Sequence, residues 1–169
     1  MLFVCTGNTC RSPMAEHVLR RDLAAAGLSA TVASAGLRVT SEGAPADQRA
    51  CAVLRSHGYT WAHETTQFRP VMLDRYDLII ALDSMHHWVL RQAASSSTAG
   101  GGGMARIRLL GSFDPAAGAG WDVPDPVGGG PGDYERVLGL LRVAMPGVVA
   151  AVRAGLAGQR TPGWRGETS

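Results

Sequence analysis

The chain reads as an α/β domain, and three observations carry that reading. Short apolar runs alternate with longer amphipathic stretches along most of its length. The clearest run, Asp77-Leu78-Ile79-Ile80-Ala81-Leu82, is continuously apolar after its first residue, as in a strand buried on both faces of a parallel sheet. Finally, 169 residues, 46% apolar and 18% charged, are enough for one packed core and leave little room for a second domain.

The elements follow in order. Leu2-Phe3-Val4 is the first strand, and it feeds a loop ending in Arg11-Ser12-Pro13. Ala15, Val18, Leu19, Leu23 and Ala26 then recur at helical spacing. Pro13 suits the first turn of that helix, where its missing N–H costs nothing, and Gly27 suits the stop. Thr31-Val32-Ala33 is the second strand. A loop from Gly36 to Pro45 leads to a helix carrying Ala50, Val53 and Leu54, which ends near Gly58. The strand at Asp77–Leu82 is followed by a helix through Met85, Val89 and Leu90. Ile107-Arg108-Leu109-Leu110 is the last strand, and a long helical pattern begins near Gly132, which Pro146 should kink or split. The stretch Ser95–Gly103 is too rich in serine and glycine for regular structure. The division predicted is a domain over 1–157 and a frayed tail over 158–169.

Charge and cysteine content narrow the function. The net charge is +2, with all sixteen basic residues arginine, too few and too scattered for a nucleic-acid groove or a polybasic membrane anchor. No apolar run approaches the roughly 18 residues of a spanning helix, and Met1–Cys5 has no leader pattern. Three cysteines do not make a disulfide scaffold, so the expected compartment is the reducing cytoplasm.

The chemistry starts at residue 5. Cys5-Thr6-Gly7-Asn8-Thr9-Cys10-Arg11-Ser12 places a cysteine, five residues, an arginine and a hydroxyl between the first strand and the first helix. A loop wrapped over a helix N-terminus turns its backbone N–H groups inward and forms an anion site. A thiol at the centre of that site is favoured as thiolate, with its pKa expected below the ~8.5 of free cysteine. Arg11 can clamp two phosphate oxygens with its planar fork, Ser12 can hydrogen-bond the sulfur, and Gly7 permits a backbone angle that other residues resist. A zinc site is disfavoured because Cys5 and Cys10 have no second Cys/His pair at ligand spacing. A nucleotide loop is disfavoured because the Gly-Lys-Ser/Thr ending is missing.

The run Val4-Cys5-Thr6-Gly7-Asn8-Thr9-Cys10-Arg11-Ser12-Pro13-Met14-Ala15-Glu16 resembles the signature of the low-molecular-weight protein tyrosine phosphatases. The similarity continues through Ser34-Ala35-Gly36, Ala46–Ala50, Ala62-His63, Ala81-Leu82-Asp83 and Asp125-Pro126, roughly residues 2 to 156. It implies a three-layer fold, a four-stranded parallel sheet flanked by helices on both faces, with the phosphate-binding loop after the first strand. It also implies no metal, no cofactor and a phosphorylated protein substrate; a monomer is the default expectation, which the sequence does not itself set. Cys5 would be the nucleophile, Arg11 the clamp and Asp125 the general acid, with Thr6, Gly7, Asn8, Thr9, Cys10 and Ser12 completing the loop. Asp114-Pro115 is the other Asp-Pro pair and is read as non-catalytic. Asn8 would be braced by Ser34 and His63, with Ser29 as a further candidate. Cys10 is either a protective disulfide partner for Cys5 or a small packed residue, and Cys51 is read as core.

Two features depart from the tyrosine-directed pattern. Val127-Gly128-Gly129-Gly130 follows Asp125-Pro126 where such members carry aromatic residues, and Leu37–Pro45 contains no ring either. Trp121, Tyr134 and Leu37 are the candidate replacements for those walls. Thr9 stands where a branched apolar residue is usual, as in the related bacterial protein arginine phosphatases. Phosphotyrosine, phosphoarginine and a small phosphate ester therefore all stay open as substrates. An arsenate reductase of this fold would need further cysteines near residues 80 to 100, and none occurs after Cys51. A phosphate-binding module without activity could dispense with Cys5, Arg11 or Asp125, and all three are present.

Overall fold

A computed structural model describes residues 1–96, 106–116, 118 and 120–158. Strand β1 (Leu2–Cys5) lies at the centre of the chain's topology. It pairs in parallel with β2 (Ala33–Gly36) on one side and with β3 (Ile79–Ala81) on the other. Strand β4 (Ile107–Leu109) extends the sheet beyond β3, giving the order β2-β1-β3-β4. Among the described residues the α-helices are α1 (Arg11–Ala25), α2 (Gln48–Ser56), α3 (Met72–Arg75), α4 (Ser84–Ser95) and α5 (Pro131–Gly158).

Alternation along the strands makes two cores. Phe3, Cys5, Ile80 and Leu82 point to the face covered by α1, α2 and α5, whereas Leu2, Val4, Ile79 and Ala81 point to the face covered by α3 and α4. The two inner strands β1 and β3 are buried along their whole length because each side of the sheet there meets a helix. The three-layer architecture expected from the resemblance is the one present.

Most boundaries fall within a few residues of the sequence reading. Pro13 lies in the first turn of α1, and Gly27 and Gly58, at φ 65° and 75°, follow the ends of α1 and α2. Four differences have physical causes. The second strand begins at Ala33, where pairing with Leu2 starts, rather than at Thr31. Helix α4 buries His86 and Leu90, leaving Met85 exposed, so its inward face is set by a histidine that an apolar pattern skips. Pro146 lies inside α5 without splitting it. Helix α5 also corrects the expectation about spanning runs, since Pro131–Gly155 has the length and hydropathy (mean 1.7) to cross a membrane. Here its Tyr134, Val137, Leu138, Leu141, Met145 and Val148 are buried in the core it shares with α1 and α2. The short α3 and the 3₁₀ turn Leu110–Phe113 were not anticipated. Of the stretch Ser95–Gly103, expected to hold no regular structure, Ser95 is instead the last residue of α4; the residues beyond Ser96, like the tail beyond Gly158, lie outside the described residues.

Candidate active site

Chain connections diverge at β1, which leads to β2 on one side and abuts β3 on the other. The crevice beyond the carboxyl end of such a strand is where α/β sheets bind ligands. Cys5 is the last residue of β1, and Arg11 is the first residue of α1. The loop between them sits over a helix N-terminus as the spacing predicts.

Cys5 is buried, with its sulfur facing two polar groups. The Asn8 backbone N–H donates to Sγ at 3.3 Å, and Ser12 Oγ lies 2.9 Å from it. Asn8 holds the loop's shape. Its φ of 57° makes it the left-handed residue here, a role the sequence reading gave to Gly7. Asparagine tolerates that angle better than most side chains. Its amide donates to Ser12 Oγ and Ser34 Oγ, both at 2.9 Å, and its Oδ1 accepts from the Thr66 N–H at 2.8 Å. Ser34 passes its own proton to Glu16 at 2.6 Å. His63 Nε2 meets the Asn8 carbonyl at 2.9 Å, and burial pushes its pKa below the ordinary value. Ser34 and His63 thus both reach Asn8, but Ser29 is exposed in the turn after α1 and does not join them. Gly36 packs so closely under the loop that an added Cβ would lie 2.8 Å from the Thr6 carbonyl and 2.9 Å from the Asn8 nitrogen.

Arg11 is buried beneath the opening and gripped from both edges. Nη1 donates to Asp83 Oδ2 at 2.8 Å and to the Val123 carbonyl at 3.2 Å. Nη2 donates to Asp125 Oδ2 at 2.7 Å and to Thr6 Oγ1 at 3.3 Å. Two of these partners were not assigned from sequence. Burial alone would raise the Asp83 pKa, yet its contacts with His86 and the charges of His86 and Arg11 hold it below the usual carboxylate value. His86, only 2% exposed, donates its backbone N–H to Asp83 Oδ1 at 2.7 Å. Its ring Nδ1 lies 2.8 Å from the same oxygen, close enough for an ion pair but misaligned for a hydrogen bond. The other ring nitrogen meets Thr6 Oγ1 at 2.8 Å. The chain Asp83–His86–Thr6–Arg11 therefore closes on itself behind the cavity.

The segment carrying Asp125 is pinned at three places. Trp121 Nε1 donates to Asp114 Oδ2 at 3.0 Å, Asp122 accepts from the Ser84 N–H and hydroxyl at 2.9 and 2.7 Å, and the Val123 N–H reaches the Leu82 carbonyl at 2.8 Å. Asp114 is occupied by Trp121 and the Ala116 N–H, which leaves Asp125 as the Asp-Pro carboxylate at the loop.

The loop opens into a cavity of about 340 Å³ lined by Cys5, Arg11, Asp125 and Thr9, with Arg38, Thr40 and Val127 among its other walls. None of its lining residues is aromatic. Tyr134, a candidate wall, is fully buried and bonded to Asp47 and Cys10, while Trp121 packs in its own turn; Leu37 does not line the cavity. Cys10 is buried beside Tyr134, and that burial pushes its thiol up to about 11. It stays protonated at neutral pH, unlike a nucleophile. Behind the loop a second cavity of about 590 Å³ is lined by Cys51, Trp61 and His63, so Cys51 is half-buried at a surface hollow rather than core.

Comparison with known proteins agrees with this geometry. The family model of the low molecular weight phosphotyrosine protein phosphatases matches residues 1–157. A low molecular weight protein-tyrosine-phosphatase of Streptomyces coelicolor is 45% identical over 160 residues, covering 93% of this chain and 95% of its own. The low molecular weight protein-tyrosine phosphatase A of Mycobacterium tuberculosis is 43% identical over 149 residues, covering 86% of each chain. Among solved structures, a protein tyrosine phosphatase from Entamoeba histolytica superposes with a TM-score of 0.82 at 28% identity, covering 92% of this chain and 97% of its own. The YwlE arginine phosphatase from Geobacillus stearothermophilus superposes with a TM-score of 0.79 at 27% identity, covering 96% and 97%. With the loop, the sheet order and nearly the full length all matching, the chain belongs to the low molecular weight phosphotyrosine protein phosphatase family.

Proposed function

We propose that the chain hydrolyses phosphotyrosine on proteins through a phosphocysteine intermediate. The observation that carries this reading is the convergence of Cys5 Sγ, the buried Arg11 fork and the Asp125 carboxylate on one cavity, with Arg11 Nη2 2.7 Å from Asp125. In the first step the Cys5 thiolate attacks phosphorus in line with the leaving phenolic oxygen. The P–O bond breaks as the S–P bond forms, and protonated Asp125 gives its proton to the departing oxygen. Arg11 and the amides of Thr6, Gly7, Asn8, Thr9 and Cys10 bind the equatorial oxygens. In the second step the Asp125 carboxylate takes a proton from water, which attacks phosphorus and expels the Cys5 thiolate, eased by the Ser12 hydroxyl 2.9 Å away. Inorganic phosphate leaves, and Asp125 is protonated again.

The ion pairs of Arg11 divide the work. Asp83 holds Nη1, which fixes the plane of the fork, and Asp125 holds Nη2. An incoming phosphate takes Nη2 from Asp125, freeing that carboxyl to face the leaving group. The same reading takes residues 1–157 as the catalytic domain, acting as a monomer in the reducing cytoplasm, with every group in both steps supplied by the chain.

A second reading has its own observation. Thr9 is among the residues lining the cavity, and a hydroxyl-bearing residue at that wall suits a guanidino nitrogen. Initial rates of phosphate release from a phosphotyrosine peptide and a phosphoarginine peptide, with Cys5→Ser as control, decide between them. Preference for phosphotyrosine upholds the first reading, and preference for phosphoarginine replaces it. Absence of Cys5-dependent release from either peptide overturns both and leaves a small phosphate ester as substrate.

A further inference from the structure

The cavity wall contains a second arginine that the chemistry above does not use. Arg38 is exposed at the opening, whereas Arg11 is buried at the base. Its backbone is nonetheless fixed. The Arg38 N–H donates to the Thr6 carbonyl at 2.8 Å and the Leu37 N–H to the Cys5 carbonyl at 2.9 Å, continuing the β1–β2 pairing past the strand ends. From the other side Gln67 accepts from the Val39 N–H at 2.9 Å and donates to the Leu37 carbonyl at 3.0 Å.

Neighbouring acids are already engaged. Glu42 pairs with Arg69 at 3.0 Å, and Asp125 pairs with Arg11. Among the described residues no carboxylate pairs with Arg38, so an un-neutralised guanidinium stands on a rigid backbone beside the phosphate loop. The same rim offers Thr40 and Val127 but no ring against which a tyrosine side chain could stack. Charge at Arg38 is therefore the feature of this opening able to discriminate between flanking residues of a substrate.

We propose that Arg38 forms a second anion site at the cavity mouth and selects phosphotyrosine segments carrying an aspartate or glutamate next to the phosphorylated residue. The inference rests on the phosphotyrosine reading above. A contact at the rim is made equally before and during the chemical step, so it acts on KM and leaves kcat alone. An exposed pair is weak and screened by salt, and the expected preference is about three- to tenfold at low ionic strength.

The test uses three phosphotyrosine peptides, identical except that the flanking residues are glutamate, alanine or lysine. The wild-type chain should rank them glutamate, alanine, lysine in kcat/KM, through KM, with the spread shrinking as salt rises. Arg38→Ala should collapse the spread, and Arg38→Glu should reverse it, turning over the lysine peptide best and so demonstrating that the variant is folded. Equal kcat/KM for the three peptides, or a preference that survives in both variants, overturns the proposal while leaving the phosphatase reading intact. If the wild-type chain releases no phosphate from any of the three, the phosphotyrosine reading fails first.

Discussion

The loop from Cys5 to Ser12 and the rim carrying Arg38, Thr40 and Val127 enclose the same cavity but are built in opposite ways. In the loop, Asn8, Arg11 and Ser12 are buried, and the loop's polar groups are bonded to four other segments: Ser34, His63 with Thr66, Asp83 with His86, and Val123 with Asp125. On the rim the backbone is tied down while the side chains face solvent. Buried, mutually satisfied polar groups fix geometry because leaving any one unpaired is costly. Exposed side chains on a rigid backbone can change without disturbing that geometry. Substitutions in the loop should therefore lower turnover of every substrate, and substitutions on the rim should alter only the ratio between substrates.

The largest expected effect tests the loop at its centre. Cys5→Ser should eliminate phosphate release, whereas Asp125→Asn should lower kcat by about 10²–10⁴-fold on a phosphotyrosine peptide. With an aryl phosphate whose leaving group needs no proton, the Asp125→Asn loss should shrink markedly. An equal loss on both substrates would remove Asp125 from its role as acid.

Asn8 comes next. Asn8→Ala gives up three side-chain hydrogen bonds and leaves a non-glycine residue at φ 57°, and should cost about 2–4 kcal/mol of stability. Urea titration reads this as a lower midpoint at unchanged slope. Asn8→Gly should recover only the backbone part. Equal midpoints for wild type and Asn8→Ala would mean that the loop is not held through this residue.

A smaller effect is expected at His86, the positioning residue between Asp83 and Thr6. His86→Ala should reduce kcat by roughly tenfold, corresponding to the loss of about one well-made hydrogen bond at the Arg11 fork. His86→Gln, which can still reach Thr6, should recover part of that loss with no change in stability relative to His86→Ala. A role confined to packing α4 would instead show both variants destabilised with kcat unaltered.

The smallest effect is on pH dependence. Burial lowers the pKa of His17 and of His63, so the unfolded chain binds protons at these sites more readily than the folded one. Their contribution to stability is complete above the unfolded value of about 6.5 and is lost as pH falls through that value toward the lower folded one. Denaturation midpoints should decline between about pH 7 and pH 5, and His17→Phe combined with His63→Asn should flatten the curve. An unchanged slope in the double variant would place the titration elsewhere.

How legible the molecule was in its sequence varied with the distance over which its parts act. Residues 5–12 are contiguous, and their roles depend on a strand end, a helix start and short-range spacing, so the phosphate loop could be read directly. Strands β1 and β3 are legible because burial on both faces leaves no polar interruption, whereas β4, with Arg108 exposed at its centre, is marked only by its apolar flanks. Most of the residues overlooked or misjudged have a partner far along the chain, Trp121 and the Gly7–Asn8 pair being local exceptions. Asp83 and His86 meet Arg11 and Thr6 across 72 and 80 positions, and nothing local to Leu82–Met85 signals this. Tyr134 and Trp121 were candidate walls because aromatic residues near an acid loop often face the cavity. Tyr134 turns instead toward Asp47 and Cys10, and Trp121 toward Asp114.

The sequence by itself determined the α/β class, the order of the main elements and the family motif from Cys5 to Ser12, because periodicity and a contiguous motif act over a few residues. Only the tertiary structure decided which carboxylates hold Arg11, that Asn8 rather than Gly7 takes the left-handed angle, and that the cavity mouth is lined by Arg38 and Thr40 rather than by rings. Those outcomes depend on how elements separated by tens of residues converge at the carboxyl end of β1, and that convergence is fixed by packing on both faces of the sheet.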